Sequence, residues 1–392
     1  MTLISIHLLQ NHAPSNLNRD DNGDPKDCLF GGFRRARISS QALKRTIRWS
    51  KTFRGYFADR GDLLALRTLL MPEEVRKRLT QYQLDDVAQK AIVEAAEKFG
   101  KADKGAPAGD IDVTEDTDTS RRTRVRGEPT EASSPLAKTK QLMFLTTLEI
   151  DQLTDEMVAL YKEKGGKAFA DIKWDKFRED RAEKYIPHSV DIAMFGRMTT
   201  SSPFKDVEAA VQVAHALSTH AVEQEFDFYT AVDDISCEAG AGFIGETTFN
   251  SATYYKYISV DWDGLVKNLQ GETAIAATAV KALIHATLLA IPSGKQNSFA
   301  AHNLPDLALV EVRPINVALS YANAFVKPVR ATAQQSLVEA SAERLQEYIP
   351  TINAMYGLTA RRAFLSTAPF ALPEAMPSAT LDELLSWLAL SA

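Results

Sequence analysis

The residues at positions 28–58 have the clearest chemical potential in this sequence, because they concentrate positive charge. They include eight basic side chains and no Asp or Glu, whereas the whole chain of 392 residues has a formal net charge of -6. Dense Arg and Lys bind phosphate oxygens, so the segment is typical of a surface that holds a nucleic-acid backbone without reading its bases. The basic side chains are Arg34, Arg35, Arg37, Lys44, Arg45, Arg48, Lys51 and Arg54.

The order of residues in this segment predicts a glycine turn, a strand and then a helix. Gly31 and Gly32 permit backbone torsions and close approaches that a Cβ would block. Arg35 and Arg37 follow with the alternation of a strand. Ser39 and Ser40 are suitable caps for a helix that begins near residue 41, and the free N–H groups of a helix N-terminus can hold a phosphate.

At 100° per residue, this helix separates basic from apolar side chains. Lys44, Arg48 and Lys51 are predicted on one side with Arg45 at its edge, and successive turns repeat at about 5.4 Å, close to the phosphate spacing of an extended strand. The alternative is a helix that pairs with acidic residues elsewhere, although no acid lies at i±3 or i±4. The opposite arc holds Ala42, Leu43, Ile47, Trp49, Phe53 and Phe57.

Two aromatic segments at residues 226–235 and 243–260 are separated by the glycine-rich run EAGAG. This pattern predicts an extended hairpin that continues into a sheet strand. On their own, these aromatic side chains are more often core residues or cross-strand pairs within a hairpin. A further run, GKQNSF at residues 294–299, is interpreted as a turn near RNA rather than a phosphate loop, because its single glycine is too few.

A competing hypothesis is metal-dependent cleavage by loop carboxylates. The candidates are Asp20, Asp21, Asp233 and Asp234, with His215 or His220. Adjacent carboxylates commonly form turns, and histidines five residues apart do not share a helix face. No P-loop, GxSxG, paired CxxC or dinucleotide motif occurs, so we expect no catalytic residue, cofactor or metal site.

Along the whole chain the patterns predict an α+β fold. Strands are expected at residues 3–9 and 307–312, and helical structure at 59–99, 141–184, 207–220, 272–291, 334–347 and 381–388. Residues 101–138 have the composition of a disordered segment. Two distant cysteines and the absence of a signal peptide or a membrane span favour a cytoplasmic protein.

Seven motifs in order resemble the CasC family, the backbone subunit of the type I-E CRISPR Cascade complex. They are NRDD at residues 18–21, KD at 26–27, FGGFRRARISSQALKR at 30–45, VDIAMFGRMTTS at 190–201, AHALSTH at 214–220, TAVDD at 230–234 and LSYANAF at 319–325. The resemblance covers nearly the whole chain and departs only around residues 101–138. It is more specific than any single motif.

The resemblance implies an RRM-like (ferredoxin-like) palm with a large helical fingers insertion and a β-hairpin thumb. Residues 1–58 would form the first part of the palm, with the basic segment. Residues 59–185 would form the fingers, including the stretch at 101–138. Residues 186–260 would form a palm strand and helix with the thumb, and residues 261–392 the rest of the palm with the C-terminal helices.

The resemblance also implies roles for particular residues. The guide backbone would be held by Arg19, Lys26, Arg35, Arg37, Ser39, Gln41, Lys44 and Arg45. The charge pattern adds Arg34 and Arg48, and the helix start adds Ser40. The thumb would insert between bases with Met198, Phe228, Tyr229, Thr230, Val232 and Ile244. Phe228-Tyr229 stands where the family usually has Trp-Phe.

The implied function is non-catalytic. Copies of the chain would stack head to tail along one CRISPR RNA and present its bases for pairing with target DNA. The expected partners are CRISPR RNA, target DNA, further copies of the chain, other Cascade subunits and a recruited nuclease-helicase. A metal-dependent RNA-guided nuclease subunit that uses the loop aspartates is the alternative.

Overall fold

The structure is a computed structural model that describes residues 2–99, 136–174, 177, 185–199, 203–232 and 239–388. The side chains of residues 230–232 and 239–244 lie outside this description, although their backbone belongs to strands. Most of the segment predicted to be disordered also lies outside it. Its last residues, 136–138, are described: Ala137 is buried and its N–H donates to Glu73 Oε1 at 2.7 Å.

A large mixed sheet forms the centre of the chain. Its strands pair in the order β12-β11-β10-β1-β9-β7-β3-β2, and β6 and β8 also pair with β9. The strands are β1 (Leu3–Ser15), β2 (Asp27–Phe30), β3 (Phe33–Ile38), β6 (Val211–Val213), β7 (Ala216–Ser218), β8 (Glu225–Val232), β9 (Ala239–Asp261), β10 (Leu307–Arg313), β11 (Arg361–Ser366) and β12 (Ala375–Pro377). A separate pair consists of β4 (Leu66–Thr68) and β5 (Met143–Leu145).

The helices Thr273–Leu289 and Leu381–Trp387 follow the sequence patterns closely. The helix in the basic segment begins as predicted, and the one predicted at residues 334–347 lies at Leu337–Tyr356. The helices are α1 (Ser40–Trp49), α2 (Lys51–Gly55), α3 (Met71–Leu79), α4 (Asp86–Ala96), α5 (Thr147–Ala170), α6 (Val190–Phe195), α7 (Trp262–Asn268), α8 (Thr273–Leu289), α9 (Gln296–Phe299), α10 (Leu337–Tyr356) and α11 (Leu381–Trp387). None of the helices in the described ranges has both the length and the apolar composition needed to cross a bilayer. The α+β prediction is confirmed.

Strand β1 is central because both of its faces are covered. Ile4, Ile6 and Leu8 point into a cluster that includes α1 and α8, whereas Leu9 belongs to a second cluster with α10. Pairing with β9 continues as far as Ser15, opposite Asn250, so the strand extends well past the end predicted from its alternation.

A third cluster belongs to the helical lobe. It joins α3, α4 and α5 around Val75, Ile92 and Leu153, with Trp174 and Phe204 completing it. These residues are buried apart from the sheet, so this lobe has its own hydrophobic core.

Several local predictions are wrong. Leu66–Thr68 and Met143–Leu145, which lie inside segments predicted to be helical, form the paired strands β4 and β5. The helix expected at residues 207–220 is instead the strands β6 and β7, in which Val211 and Val213 are buried and Gln212 is exposed. Their pairing with β9 satisfies this backbone, and the alternating burial has a period of two. The basic helix is also interrupted: Ser50 ends α1 and caps α2 by accepting the Phe53 N–H at 3.0 Å.

Candidate nucleic-acid interface

The hairpin of β2 and β3 is held against a distant part of the chain. Gly31 has a φ of +60°, and a Cβ there would overlap the carbonyl oxygen of Val326. Arg35 on β3 is fully buried and donates from Nη1 to the carbonyl of Ser218 at 3.1 Å, and from Nη2 to the carbonyls of Phe325 and Val326 at 2.7 and 3.1 Å. The prediction that Arg35 contacts a phosphate is therefore corrected, because its guanidinium anchors the hairpin internally.

Helix α1 begins where the sequence predicted, and its cap is connected to the NRDD loop. Ser39 Oγ accepts the Ala42 N–H at 3.2 Å, and the Ser39 N–H donates to Asn18 Oδ1 at 2.8 Å. Ser39 is buried, so it shapes the helix start, while the neighbouring Ser40 is half-buried and Gln41 is exposed. The loop and the helix N-terminus consequently form one surface.

Only three positions of α1 are exposed: Gln41, Arg45 and Trp49. They follow an i, i+4, i+8 spacing and therefore form one line along the helix. We call Gln41, Arg45 and Trp49 the α1 ridge. Its composition differs from the predicted row, because Trp49 was expected among the buried side chains.

Lys44 and Arg48 lie beside this ridge and are half-buried. Burial lowers the pKa of Lys44. Arg48 Nε donates to Asp191 Oδ2 at 2.8 Å, and its guanidinium lies 4.5 Å from the Phe144 ring centroid. The alternative interpretation of the helix, pairing with a distant acid, thus applies to Arg48, and the phosphate contact predicted there stays a prediction.

A second group of polar residues surrounds the N-terminus of α1. Arg37 donates from Nη1 to His215 Nδ1 at 3.3 Å, and the Ser40 N–H lies 3.4 Å from the same nitrogen. Burial, together with the charges of Arg37 and Lys26, lowers the pKa of His215, which keeps it a neutral acceptor. Lys26 is largely buried, and its carbonyl accepts the Arg37 N–H at 2.9 Å.

Arg34 and Arg19 lie at the margins of this surface. Arg34 is exposed and forms an ion pair with Asp27, so its charge is already partly compensated. Arg19 lies in the NRDD loop, where its backbone bridges to Pro25. The cationic surface therefore consists of the α1 ridge, the α1 N-terminus and the side chains of Arg19, Arg34 and Arg37. It includes fewer of the predicted side chains than the sequence suggested.

Two cations near this surface were absent from the predicted site. The first is Lys295, whose Nζ donates to Thr247 Oγ1 at 2.8 Å. The preceding residue, Gly294, lies so close to the carbonyl of Leu17 that there is no room for a Cβ. The pKa of Lys295 is lowered mainly by partial burial and further by the charge of Arg19. The GKQNSF run indicated a turn here, but only the fold brings it beside the NRDD loop.

The second missed cation is Arg67 on β4. Partial burial and the charges of Arg48 and Arg45 lower the pKa of Arg67, so the helical lobe contributes a positive charge close to α1. No local motif marks Arg67, because its proximity depends on how β4 and β5 pair.

The predicted hairpin is confirmed in β8 and β9. Phe228 pairs with Glu246 and Tyr229 with Gly245, so the two aromatic side chains stand on opposite faces, both at least half exposed. A Cβ at Gly245 would overlap the Tyr229 ring, so that glycine provides the surface on which the ring lies. Thr230 pairs with Ile244 and Val232 with Ala239, but the side chains of Thr230, Val232 and Ile244 lie outside the described residues.

Met198 lies apart in sequence from the hairpin, on a rigid support. Its side chain is 93% exposed. The preceding Arg197 is buried and donates from Nη1 to both carboxylate oxygens of Glu149 at 2.9 Å, and from Nε to the Lys205 carbonyl at 3.0 Å. An apolar side chain held out from such an anchor is suited to contact a partner.

The carboxylates of the nuclease hypothesis have other roles where they are described. Asp20 Oδ1 accepts the N–H groups of Asn22 and Asp24 at 2.9 and 3.0 Å, which makes it a turn former. Asp21 is exposed, and Asp233 and Asp234 lie outside the described residues. Within the described ranges, no group of three His, Cys, Asp or Glu side chains is placed to hold a metal.

A family model and two solved structures match nearly the whole chain. Residues 4–388 match the CT1975-like protein family, and the chain belongs to that family. A chain of a solved "CRISPR RNA-guided surveillance complex, pre-nicking" is 30% identical, with a TM-score of 0.75 over 98% of this chain and 99% of that one. A chain of a second "CRISPR RNA-guided surveillance complex" shares the fold at 24% identity, with a TM-score of 0.67 over 98% and 99%. No curated protein sequence matches the chain.

Proposed function

We propose that this chain is the guide-RNA-binding backbone subunit of a CRISPR surveillance complex, of the CasC kind found in type I-E systems. The observation that carries the proposal is the cationic surface formed by Arg19, Arg37, Arg45 and the N-terminus of α1. It faces solvent on a chain whose net charge is negative. A polyanion held by its backbone is the partner that such a surface fits.

The same surface explains how the chain could hold RNA without selecting its sequence. Backbone N–H groups at a helix start and guanidinium groups bind phosphates, and neither reads a base edge. Sequence specificity would then come from base pairing between the guide and target DNA. The membership of the relative in an RNA-guided complex supports this division of roles.

The finer architecture is also part of the proposal. The sheet would act as an RRM-like palm, the lobe of α3, α4 and α5 as fingers, and the hairpin of β8 and β9 as a thumb. Copies would stack head to tail along one guide, beside other Cascade subunits, and each thumb would separate successive groups of bases. The chain would be non-catalytic, and a recruited nuclease-helicase would cleave the target.

Native mass spectrometry of the purified chain, with and without a CRISPR RNA and with divalent metal present, tests the proposal. We expect several copies on one intact RNA. A single copy with RNA shortened only when metal is added would overturn it in favour of a nuclease. Asp20→Ala and Asp21→Ala would then be the first variants to examine, with Asp233→Ala and Asp234→Ala.

A further inference from the structure

Trp49 occupies an unexpected position at the end of the α1 ridge. It is 55% exposed, whereas Trp174 is buried and Trp262 and Trp387 pack partly buried against the main core. Trp49 lies two helical turns beyond Gln41, about 12 Å along the helix axis. A large aromatic side chain is therefore exposed on the same line of residues that begins at the N-terminus of α1.

The break at Ser50 places a second cation against Trp49. The Arg54 guanidinium, on α2, lies 4.9 Å from the Trp49 ring centroid, and that of Arg48 lies 5.9 Å away. Arg48 is neutralised by Asp191, but neither Arg45 nor Arg54 forms an ion pair with a residue that the structure describes. More than half of Trp49 stays open to solvent beside these groups, and its flank carries uncompensated positive charge.

We propose that Trp49 is a stacking platform for one nucleobase of the RNA strand that follows α1. This inference rests on the proposed function and adds a base contact to a surface otherwise suited to phosphates. An indole face stacks on any base, while Arg45 on the same ridge and Arg54, whose guanidinium lies over the ring, attract the adjoining phosphates. The charge of the flank favours a nucleic acid over an apolar protein surface, and continuity with the α1 ridge favours the RNA strand.

The test compares two ligands that differ only in their bases: an oligouridine and an abasic ribose-phosphate chain of equal length. Binding to the full chain is measured by anisotropy of labelled RNA at several salt concentrations, and by tryptophan fluorescence. The variants are Trp49→Ala and Trp49→Phe, with Tyr356→Ala as a matched control because Tyr356 is an exposed aromatic residue at the end of α10.

We expect the unmodified chain to bind oligouridine more tightly than the abasic chain and to show fluorescence quenching. Trp49→Ala should lose about tenfold in affinity for oligouridine, reduce the preference for bases by the same factor and leave the salt dependence unchanged, because no charge is lost. Trp49→Phe should retain most of the preference, and Tyr356→Ala should match the unmodified chain.

The contrary outcomes separate this inference from the proposed function. If the unmodified chain bound neither RNA, the proposed function would fail. If it bound both but Trp49→Ala behaved identically, only the stacking role would fail. Unchanged affinity combined with fewer copies on a long RNA would identify a protein contact, and quenching by single-stranded DNA alone would identify DNA as the occupant. Either result would overturn the stacking of RNA.

Discussion

Arg35 and Arg45 belong to the same basic segment but have different surroundings. Arg35 is enclosed and donates to three carbonyls, whereas Arg45 is exposed on the α1 ridge. A buried guanidinium without a carboxylate partner is stabilised by such carbonyls and is costly to remove. The same residue type thus supports the fold at one position and offers charge to a ligand at the other.

Arg35→Ala should lower the free energy of unfolding by about 3 kcal/mol, because it leaves three carbonyl groups without their donor. Arg35→Lys should recover part of the loss, since one ammonium cannot reproduce the planar donor geometry. Urea denaturation measures both variants. Arg34→Ala is the control, and its exposed pair with Asp27 should contribute at most about 1 kcal/mol. Equal losses at the two positions would contradict the anchoring role of Arg35.

Helix α1 shows which features of an element its sequence determines. The cap at Ser39 and the apolar side containing Leu43 and Ile47 were predicted correctly from local signals. The ion pair of Arg48 was not predicted, because its partner Asp191 lies on α6 and no spacing rule connects the two residues. Trp49 was misplaced for a related reason: the break at Ser50 turns α2 away, so the apolar arc of α1 is not continuous with that of α2.

Variants of α1 should separate ligand binding from folding. Arg45→Ala should weaken RNA binding evenly across sequences and reduce the slope of log affinity against log salt by about 1, because one phosphate contact is lost. Arg48→Ala should instead destabilise the chain by about 3 kcal/mol, since Asp191 would remain buried without its cation. Anisotropy titrations and thermal unfolding distinguish these effects. If Arg48→Ala reduced the slope of log affinity against log salt by about 1 and did not destabilise the chain, Arg48 would be a phosphate contact and not a structural residue.

A buried polar network joins several other elements. Glu311 on β10 accepts from Arg313 Nη2 at 2.8 Å, Arg362 Nε at 2.6 Å and Tyr321 Oη at 2.9 Å. The segment that includes Tyr321 also contains Phe325 and Val326, which supply two of the three carbonyls that anchor Arg35. The network therefore supports the part of the chain against which the β2–β3 hairpin rests.

The charge of Glu311 gives this network a definite pH dependence. Burial disfavours ionisation, but His7, whose Nε2 lies 3.3 Å from Glu311 Oε2, and the charges of Arg313 and Arg362 outweigh it and lower the pKa of Glu311. A lowered folded-state pKa contributes stability above the unfolded value near 4.5, and this contribution is lost as the pH falls. Glu311→Gln should therefore destabilise the chain by about 3 kcal/mol at pH 7, with a smaller difference below about pH 4.

Urea unfolding of the two proteins from pH 3 to pH 8 measures this dependence. The exposed Asp62→Asn is a suitable control, because its partner Arg60 is also exposed. A Glu311→Gln difference that stayed constant across the whole range would show that the carboxylate charge is not the source of the stability.

At the scale of the whole molecule, the sequence predicted elements better than their associations. The α+β class, β1, α8, β10 and the hairpin of β8 and β9 followed from periodicity, because each has a burial pattern that local composition records. The strands β6 and β7 were mistaken for a helix, since their apolar spacing fits both periods and only β9 resolves it. Lys295 and Arg67 reach the site through long-range packing, which has no local signature.

The proposed assembly depends on the hairpin keeping a regular distance between groups of bases. Phe228→Ala combined with Tyr229→Ala should leave the fold intact, because both side chains are largely exposed, but should disturb that regularity. Nuclease footprints on assembled guide RNA measure it as a periodic pattern of protection. Phe226→Ala is the matched control, since Phe226 is 61% exposed on the same face as Phe228 but nearer the sheet.

Gly245→Ala tests the same idea without removing an aromatic ring. Its Cβ would displace Tyr229 from the opposite strand, so the footprint should change as it does for Tyr229→Ala alone. The number of copies on the RNA, measured by native mass spectrometry, should stay nearly constant in Gly245→Ala and Tyr229→Ala if the α1 ridge and the α1 N-terminus supply most of the affinity. Periodic footprints that persisted in the double variant would show that these rings do not separate the bases, and Met198 would become the next residue to replace.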